Sequence, residues 1–389
     1  MKKFLSAVRL FIKETDKLLL SMCIVASVFG LIMVMSATKY KLSVDSIVSR
    51  DFLIMLIAVF LGVALSIAIS FFDYQIFTKL WPFIAGVCLV LMLLLFWIGT
   101  GPSSRPDART WLEIGPVNFQ PSELVKIGFI ITFGVHLEKL KDKINKFISI
   151  IQLGVHALVP IVLVAATGDL GSALVFILIA AIMLFIAGLH WGYFVGGIAL
   201  LGAASPLIWT YVFKQIQRER FLALIYPDAY PDQIYQQKNG LNAIGAGGLT
   251  GQGLFHGSYT QAGVVPESQN DFIFTAIGEE LGFIGCVVAL ALITLIAVRI
   301  IYVGRKSKEF STNLICSGMA AMIAGQMLIN IGMCLMVLPV IGITLPFFSA
   351  GGSSNLCVYI GIGLVLSIYR HNCEQQAVNL RVYDSLKND

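Results

Sequence analysis

The chain has 389 residues, 57% of them hydrophobic and 13% charged, with a mean hydropathy of +0.85. A soluble domain of this length carries about a quarter charged residues, so composition excludes a water-soluble globular protein and makes a bilayer the solvent. The net charge of +5 is spread in short basic runs between apolar stretches, which suits anionic membrane lipids, and no basic patch interleaved with aromatics occurs to engage nucleic acid.

In chain order, residues 1–17, MKKFLSAVRLFIKETDK, form a basic, mildly amphipathic N-terminus. The apolar run from Leu18 to Met35 is longer than a signal-peptide core and lacks a small-residue cleavage site, so it reads as a retained first span. Crossing takes about 20 apolar residues in helix. Spans are expected at about 18–37, 52–72, 80–98, 122–137, 149–166, 170–189, 192–213, 272–301, 312–337 and 345–369. The fourth contains Glu123 and Lys126, and the break at Gly188–Gly192 is short. Ten spans put both ends on one side. With the ends inside, cytoplasmic segments hold 17 Lys and Arg residues and outer segments hold 9, Lys126 lying in a span. The positive-inside rule then places both termini in the cytoplasm. The expected fold is an all-α membrane protein of about ten transmembrane helices, with a polytopic domain at 18–370 and a cytoplasmic tail at 371–389.

Two outer segments exceed plain turns: Thr100–Pro121, and Lys214–Asn270, a large extracytoplasmic loop before the eighth span. Long ordered loops in compact proteins are usually functional, and Tyr226, Tyr230, Tyr235, Phe255 and Tyr259 argue against disorder in the second. No internal repeat suggests an inverted-repeat transporter. The seven cysteines show no CxxC or Cys/His spacing and read as small hydrophobes in helices.

Several residues could carry chemistry. The stretch IGAGGLTGQG lacks a GK[ST] ending and follows a polar loop rather than a strand, so Walker and Rossmann readings fail. It is either a tightly turning loop at the membrane surface or a turn whose N–H groups hold a pyrophosphate. Asp271, in PESQNDFIFTAIGEELGF, reads as a helix N-cap or as a carboxylate at the outer headgroup level. Glu279 and Glu280 lie about 12 Å deeper along the helix, where acids are costly unless paired or facing a wet cavity. Glu123 and Lys126, spaced i,i+3 in QPSELVKIGF, share a helix face and pair, as a structural ion pair or a functional one. Trp111, in ARTWLEIG, reads as an interfacial anchor, and Asp169, in TGDLGSAL, as a cap. No nucleophilic serine motif occurs, and the five histidines form no metal pattern.

At these residues the chain resembles the SEDS family (shape, elongation, division and sporulation proteins) from about Lys17 to Arg370. The matching segments are ARTWLEIGPVNFQPSELVKI, GDLGSAL, YQQKNGLNAIGAGGLTGQGL, VPESQNDFIFTAIGEELGF and GITLPFFSAGGSSN, in that order. HGSYTQAGVVPE resembles the RodA elongation type rather than the FtsW division type. Asn270 stands where the family usually has Thr, and Ala350 where it usually has Tyr; Asn keeps a hydrogen-bonding group beside Asp271, whereas Ala350 lacks the hydroxyl.

The resemblance implies a peptidoglycan glycosyltransferase of the bacterial cytoplasmic (inner) membrane, acting in elongation and cell shape on lipid II, a disaccharide-pentapeptide on undecaprenyl pyrophosphate. It implies a class B penicillin-binding protein as partner, alongside other elongation-complex proteins. Asp271 matches the family's essential Asp, and Trp111 its functionally important Trp. Gln120, Glu123 and Lys126 match the QPSE-x-x-K positions, and Asp169, Glu267, Glu279 and Glu280 fall within the matched motifs as site-supporting residues. Such a reaction needs a base on the acceptor hydroxyl, assigned to Asp271, and positive charge at the leaving pyrophosphate. That charge comes from Arg109, Arg220 or Lys126, or from a divalent cation, magnesium or manganese. The rival readings are a lipid II flippase with Glu123, Lys126 and Asp169 lining a path, a scaffold, and an FtsW-type division paralogue.

Overall fold

The computed structural model describes residues 15–42, 48–101, 108–115 and 117–388; the basic stretch 1–14 and residues 102–107 of the first outer segment lie outside the described residues. The helices are α1 (Lys17–Ala37), α2 (Arg50–Ser70), α3 (Tyr74–Lys79), α4 (Trp81–Ile98), α5 (Pro121–Lys139), α6 (Phe147–Ala166), α7 (Leu170–Ile186), α8 (Trp191–Leu207, continued by a π turn to Val212), α9 (Gln215–Ile225), α10 (Pro231–Gly247), α11 (Ser258–Gln261), α12 (Ile273–Arg305), α13 (Phe310–Cys334) and α14 (Gly352–Asn388). Before α5, β1 (Leu112–Ile114) and β2 (Val117–Phe119) pair antiparallel with Leu112 opposite Phe119.

Each expected span coincides with a helix, and eight helices are long and apolar enough to cross a membrane. Of the other two, α5 carries Glu123, Lys126, Glu138 and Lys139, and α7, with 17 residues, rises about 26 Å. The chain is an all-α, multi-pass membrane protein, with one small hairpin among the described residues.

Two boundaries differ from the sequence reading. The last helix begins at Gly352 rather than near 345. Ahead of it, Pro339, Pro346 and the positive φ angles of Gly342 (74°) and Phe347 (69°) keep 339–351 irregular. The expected loop 214–270 is largely helical, since α9, α10 and α11 lie within it. Pro231 opens α10 at a position whose N–H has no intrahelical partner, and Gly248, at φ 55°, ends it.

Helices α5, α13 and α14 are the most enclosed of the spans, whereas α8 has no buried residue. Lipid tails are as apolar as leucine, so close packing rather than water exclusion holds such helices together. Accordingly α2 meets α14 at small residues: a Cβ on Gly62 would lie 2.9 Å from the Tyr359 ring, and one on Gly363 2.8 Å from the Ser66 backbone. The buried Tyr359 hydroxyl then reaches α1, 2.8 Å from Ser27 Oγ and donating to the Cys23 carbonyl at 3.1 Å.

Candidate active site

The segment leading to Asp271 is stitched into a break in α12. Gly282 has φ 67° and ψ −164°, a conformation that is open essentially to glycine alone. The break frees backbone groups on both sides, and the glycine-rich stretch satisfies them. Phe283 N–H donates to the Gly248 carbonyl (2.9 Å) and Ile284 N–H to Leu249 (3.2 Å). In return Gln252 and Gly253 donate to the carbonyls of Glu279 (2.9 Å) and Glu280 (3.0 Å). IGAGGLTGQG is therefore a backbone plug in a broken helix, and its N–H groups at Gly251, Gln252 and Gly253 are already bonded within the protein.

Glu279 and Glu280, both fully buried, hold the next stretch. Glu279 accepts from the N–H groups of Tyr259 (2.6 Å) and Thr260 (2.9 Å), from Thr260 Oγ1 (2.6 Å) and from Ser258 Oγ (3.2 Å). Glu280 accepts from Ser36 Oγ (2.6 Å), Gln261 Nε2 (3.0 Å) and the N–H groups of Phe255 (3.1 Å) and Gly257 (3.4 Å). A carboxylate taken out of water is tolerated where several donors replace its hydration. The two acids thus tie residues 255–261 to α12 and to the end of α1.

Asp271 is half-buried on the turn before α12. It is not the N-cap: Phe272 occupies that position and makes no side-chain capping bond. The turn is tight. Glu267 has φ 56°, its carbonyl accepts from Asn270 N–H (2.9 Å) and Phe272 N–H (3.2 Å), and its exposed carboxylate accepts from Asn270 Nδ2 (2.5 Å). Three successive carbonyls are held from the 330–350 region. Ala350 N–H donates to Gln269 (2.9 Å), Ser349 Oγ to Asn270 (2.7 Å), and Asn330 Nδ2 to Asp271 (2.7 Å). Both departures from the family pattern, Asn270 and Ala350, fall in this contact.

A second polar group lies at the starts of α5 and α7. Asp169 caps α7, accepting from Ser172 N–H (2.9 Å), and also accepts from Gln120 Nε2 (2.9 Å) and Ser122 Oγ (3.3 Å). One turn into α5, Lys126 Nζ lies 2.7 Å from Glu123 Oε1, with side chains 0% and 5% exposed. Gln326 Nε2 and Ser354 Oγ approach the other carboxylate oxygen at 3.5 Å, and Ser354 Oγ is 2.9 Å from Thr344 Oγ1. Gln326 and Asn330 stand one turn apart on α13, about 6 Å along its axis. Asn330 also donates to the Ile343 carbonyl. Through α13 and residues 343–349, the Glu123–Lys126 pair and the Asp271 turn belong to one framework.

The remaining candidates flank it. Arg109 N–H donates to the Thr167 carbonyl (2.8 Å), two residues from Asp169, and its exposed guanidinium contacts the Phe96 carbonyl. Trp111, half-buried, is paired through its backbone with Thr100. Arg220 donates to the Val340 carbonyl (2.9 Å) and lines a small pocket with Leu170, Gln217 and Ile341. Glu279 and Glu280 are bonded instead to residues 255–261 and Ser36. Among the described residues, no three His, Cys, Asp or Glu side chains converge to hold a metal ion.

Sequence reasoning assigned no role to Gln326, Asn330, Ser349 or Ser354. A signal existed for the first two: amides spaced i,i+4 on one face of an otherwise apolar helix, AAMIAGQMLINIGMC.

The FtsW/RodA/SpoVE family model, described as cell cycle protein, matches residues 16–374. The peptidoglycan glycosyltransferase MrdB of Escherichia coli (strain K12) is 30% identical over 321 residues, covering 80% of this chain and 83% of MrdB. A probable peptidoglycan glycosyltransferase FtsW of Geobacter sp. (strain M18) is 32% identical over 367 residues, covering 91% and 96%. Among solved structures, a chain from a peptidoglycan synthase complex that coordinates polymerization and crosslinking superposes with a TM-score of 0.77 at 27% identity, covering 92% of this chain and 98% of that one. The rod shape determining protein RodA of Thermus thermophilus gives 0.68 at 26% identity, covering 92% and 97%.

Proposed function

We propose that this chain, which belongs to the FtsW/RodA/SpoVE family, is a peptidoglycan glycosyltransferase of the bacterial inner membrane that polymerises lipid II, with Asp271 as its general base. The observation that carries the assignment of the base is the Asp271 turn itself. It is a carboxylate residue at the mouth of a span, outside the helical ladder, with its own carbonyl and the two before it fixed by the 330–350 region. The excess of basic residues on the opposite side puts this turn at the outer face of the membrane. There it meets a lipid-linked sugar at headgroup depth.

In the reaction, the acceptor sugar hydroxyl attacks the anomeric carbon of the donor. The new C–O bond forms as the bond to pyrophosphate breaks, and the electron pair leaves with undecaprenyl pyrophosphate. The hydroxyl proton passes to the Asp271 carboxylate. The leaving group is a stable anion and needs no acid, so one carboxylate suffices where a glycosidase uses two. Attack from the face opposite pyrophosphate inverts the anomeric centre. Positive charge toward the leaving group comes from Arg109 and Arg220 on the same side of the bundle, or from a divalent cation. Lys126 is enclosed with Glu123 and supports the framework instead.

The elongation (RodA) type is favoured over the division type by the HGSYTQAGVVPE segment, and a class B penicillin-binding protein is the expected crosslinking partner. The test is polymerisation of purified lipid II in detergent, where there is no membrane to cross and a flippase or scaffold has nothing to do. Wild type with its partner makes glycan strands; Asp271→Asn, similar in shape, makes none. Wild-type rates from Asp271→Asn would overturn the assignment of the base.

A further inference from the structure

Asn330 is fully buried in α13, in a half of the helix where Gln326 is the other polar side chain. An amide there is a poor space-filler: it has weak helix propensity and is costly to desolvate without partners. A leucine has the same side-chain branching without the desolvation cost, though its methyl groups are bulkier. What the amide supplies is one nitrogen with two hydrogens, and both are used. Nδ2 donates at 2.7 Å to the carbonyl of Asp271 and at 2.7 Å to that of Ile343. The two acceptors come from segments far apart in sequence, the turn before α12 and the irregular stretch before α14.

The Asp271 carbonyl is held from α13. The N–H one helical turn on, at Thr275, donates to Phe272 (3.0 Å) rather than back to Asp271. The Cys334 thiol, also on α13, donates to the same carbonyl at 3.7 Å as a weak donor. The peptide that follows the Asp271 side chain is therefore placed by a side chain of another helix. Glu267 at φ 56° lies four residues earlier in the same turn, a conformation that persists only where its surroundings enforce it.

We propose that Asn330 is the positioning residue of the general base: its amide fixes the Asp271 backbone against residues 343–349, and so sets where the carboxylate meets the acceptor hydroxyl. The proposal rests on Asp271 being the base. Misplacing a reacting group by about 1 Å costs on the order of a hundredfold in rate, so the effect falls on turnover rather than on substrate affinity.

The experiment uses the full chain with its transpeptidase partner and purified lipid II as the probe. Asn330→Leu is expected to lower kcat by about 30-fold and leave KM within about threefold. In an Asp271→Asn background, Asn330→Leu is expected to leave the Kd for lipid II within about threefold of the single variant. Asn330→Asp has the same shape and, once protonated in its apolar surroundings, donates one hydrogen instead of two; its kcat is expected to fall between wild type and leucine. Should the leucine variant fail to fold, the aspartate variant decides: a kcat lowered by about threefold or more at unchanged KM supports the proposal. A kcat within about twofold of wild type overturns it, as does a parallel loss of lipid II binding in the Asp271→Asn background. If Asp271→Asn is inactive while Asn330→Leu is fully active, the positioning role alone fails. If Asp271→Asn turns over normally, the base assignment fails and the positioning role falls with it.

Discussion

Removing the cation from the Glu123–Lys126 pair is expected to be far more damaging than removing both charges together. In Lys126→Met the ammonium 2.7 Å from Glu123 Oε1 is lost, and a carboxylate only 5% exposed is left inside the bundle. Its remaining neighbours, Gln326 Nε2 and Ser354 Oγ, stand at 3.5 Å, the outer limit of a hydrogen bond, and cannot replace a charge-assisted contact. Breaking a buried pair from one side costs about 3–5 kcal/mol, whereas replacing both partners by uncharged groups of similar volume is often neutral. In a membrane protein the lower end applies, because the unfolded reference also finds polar partners, giving about 3 kcal/mol for the single variant. The double variant Glu123→Gln, Lys126→Met is expected to lie within about 1 kcal/mol of wild type, its glutamine still bonding to Gln326 and Ser354. Equilibrium unfolding by SDS in mixed micelles, followed by tryptophan fluorescence, reads the difference. A single variant as stable as wild type, or a double variant no better than the single, would refute the account of this pair as a framework element. Lipid II polymerisation by the double variant adds a second readout: full stability with lost turnover would move the pair from framework to chemistry.

Other consequences follow from the same contacts. Glu279→Gln and Glu280→Gln each exchange a carboxylate holding several donors for an amide with one acceptor oxygen; each is expected to lose about 2–3 kcal/mol, with faster proteolysis within 252–261 as the specific mark. Unchanged cleavage there would show that the acids do not anchor that stretch. Gly282→Ala forces an L residue into φ 67° and ψ −164° and drives a Cβ against the backbone of Gly251 and Leu249; at about 1–3 kcal/mol for the conformation alone, plus the clash, little monodisperse protein should survive detergent extraction, and normal yield would contradict the broken-helix plug. Asp169→Ala removes a cap and two side-chain bonds and is expected to cost about 2 kcal/mol, while Asp169→Asn keeps the cap and loses less than about 1 kcal/mol. Equal losses from the two would mean that charge rather than capping matters at this position.

The ten helix positions were legible because crossing a bilayer demands an uninterrupted apolar run, and that demand is local in sequence. Asp169 as a cap was legible for the same reason, since a cap bonds to its own next turn. The burial of Glu279 and Glu280 was visible as an anomaly, two acids in an apolar helix, but their partners were not. The donors are hydroxyls, one amide and backbone N–H groups, largely of residues 255–261, and backbone donors have no signature in a sequence. The stretch IGAGGLTGQG was ambiguous for a related reason: glycine marks close approach or unusual φ without naming what is approached. Only the fold shows that it meets the carbonyls of Glu279 and Glu280 and the N–H groups beyond Gly282. The capping reading of Asp271 was a fair local inference that failed by one residue, since the helix starts at Ile273 behind Phe272.

Three buried acids of this protein are held by their carboxylates, and the Asp271 turn is held through its main chain as well. Glu123, Glu279 and Glu280 are positioned by donors aimed at the carboxylate itself, an ammonium in one case and hydroxyl, amide and N–H groups in the others. A carboxylate so engaged is a good anchor and a poor base, because taking up a proton disrupts the bonds that place it. At Asp271 the named restraints act on the backbone: the carbonyls of residues 269, 270 and 271 are fixed by Ala350, Ser349 and Asn330. Restraint through the main chain sets where a side chain begins. It also ties the base to α13 and to the segment before α14, two of the most enclosed parts of the bundle, rather than to α8, which has no buried residue. A base that must meet a hydroxyl within a few tenths of an ångström is better placed on the rigid part of a fold, and this framework lies on that part.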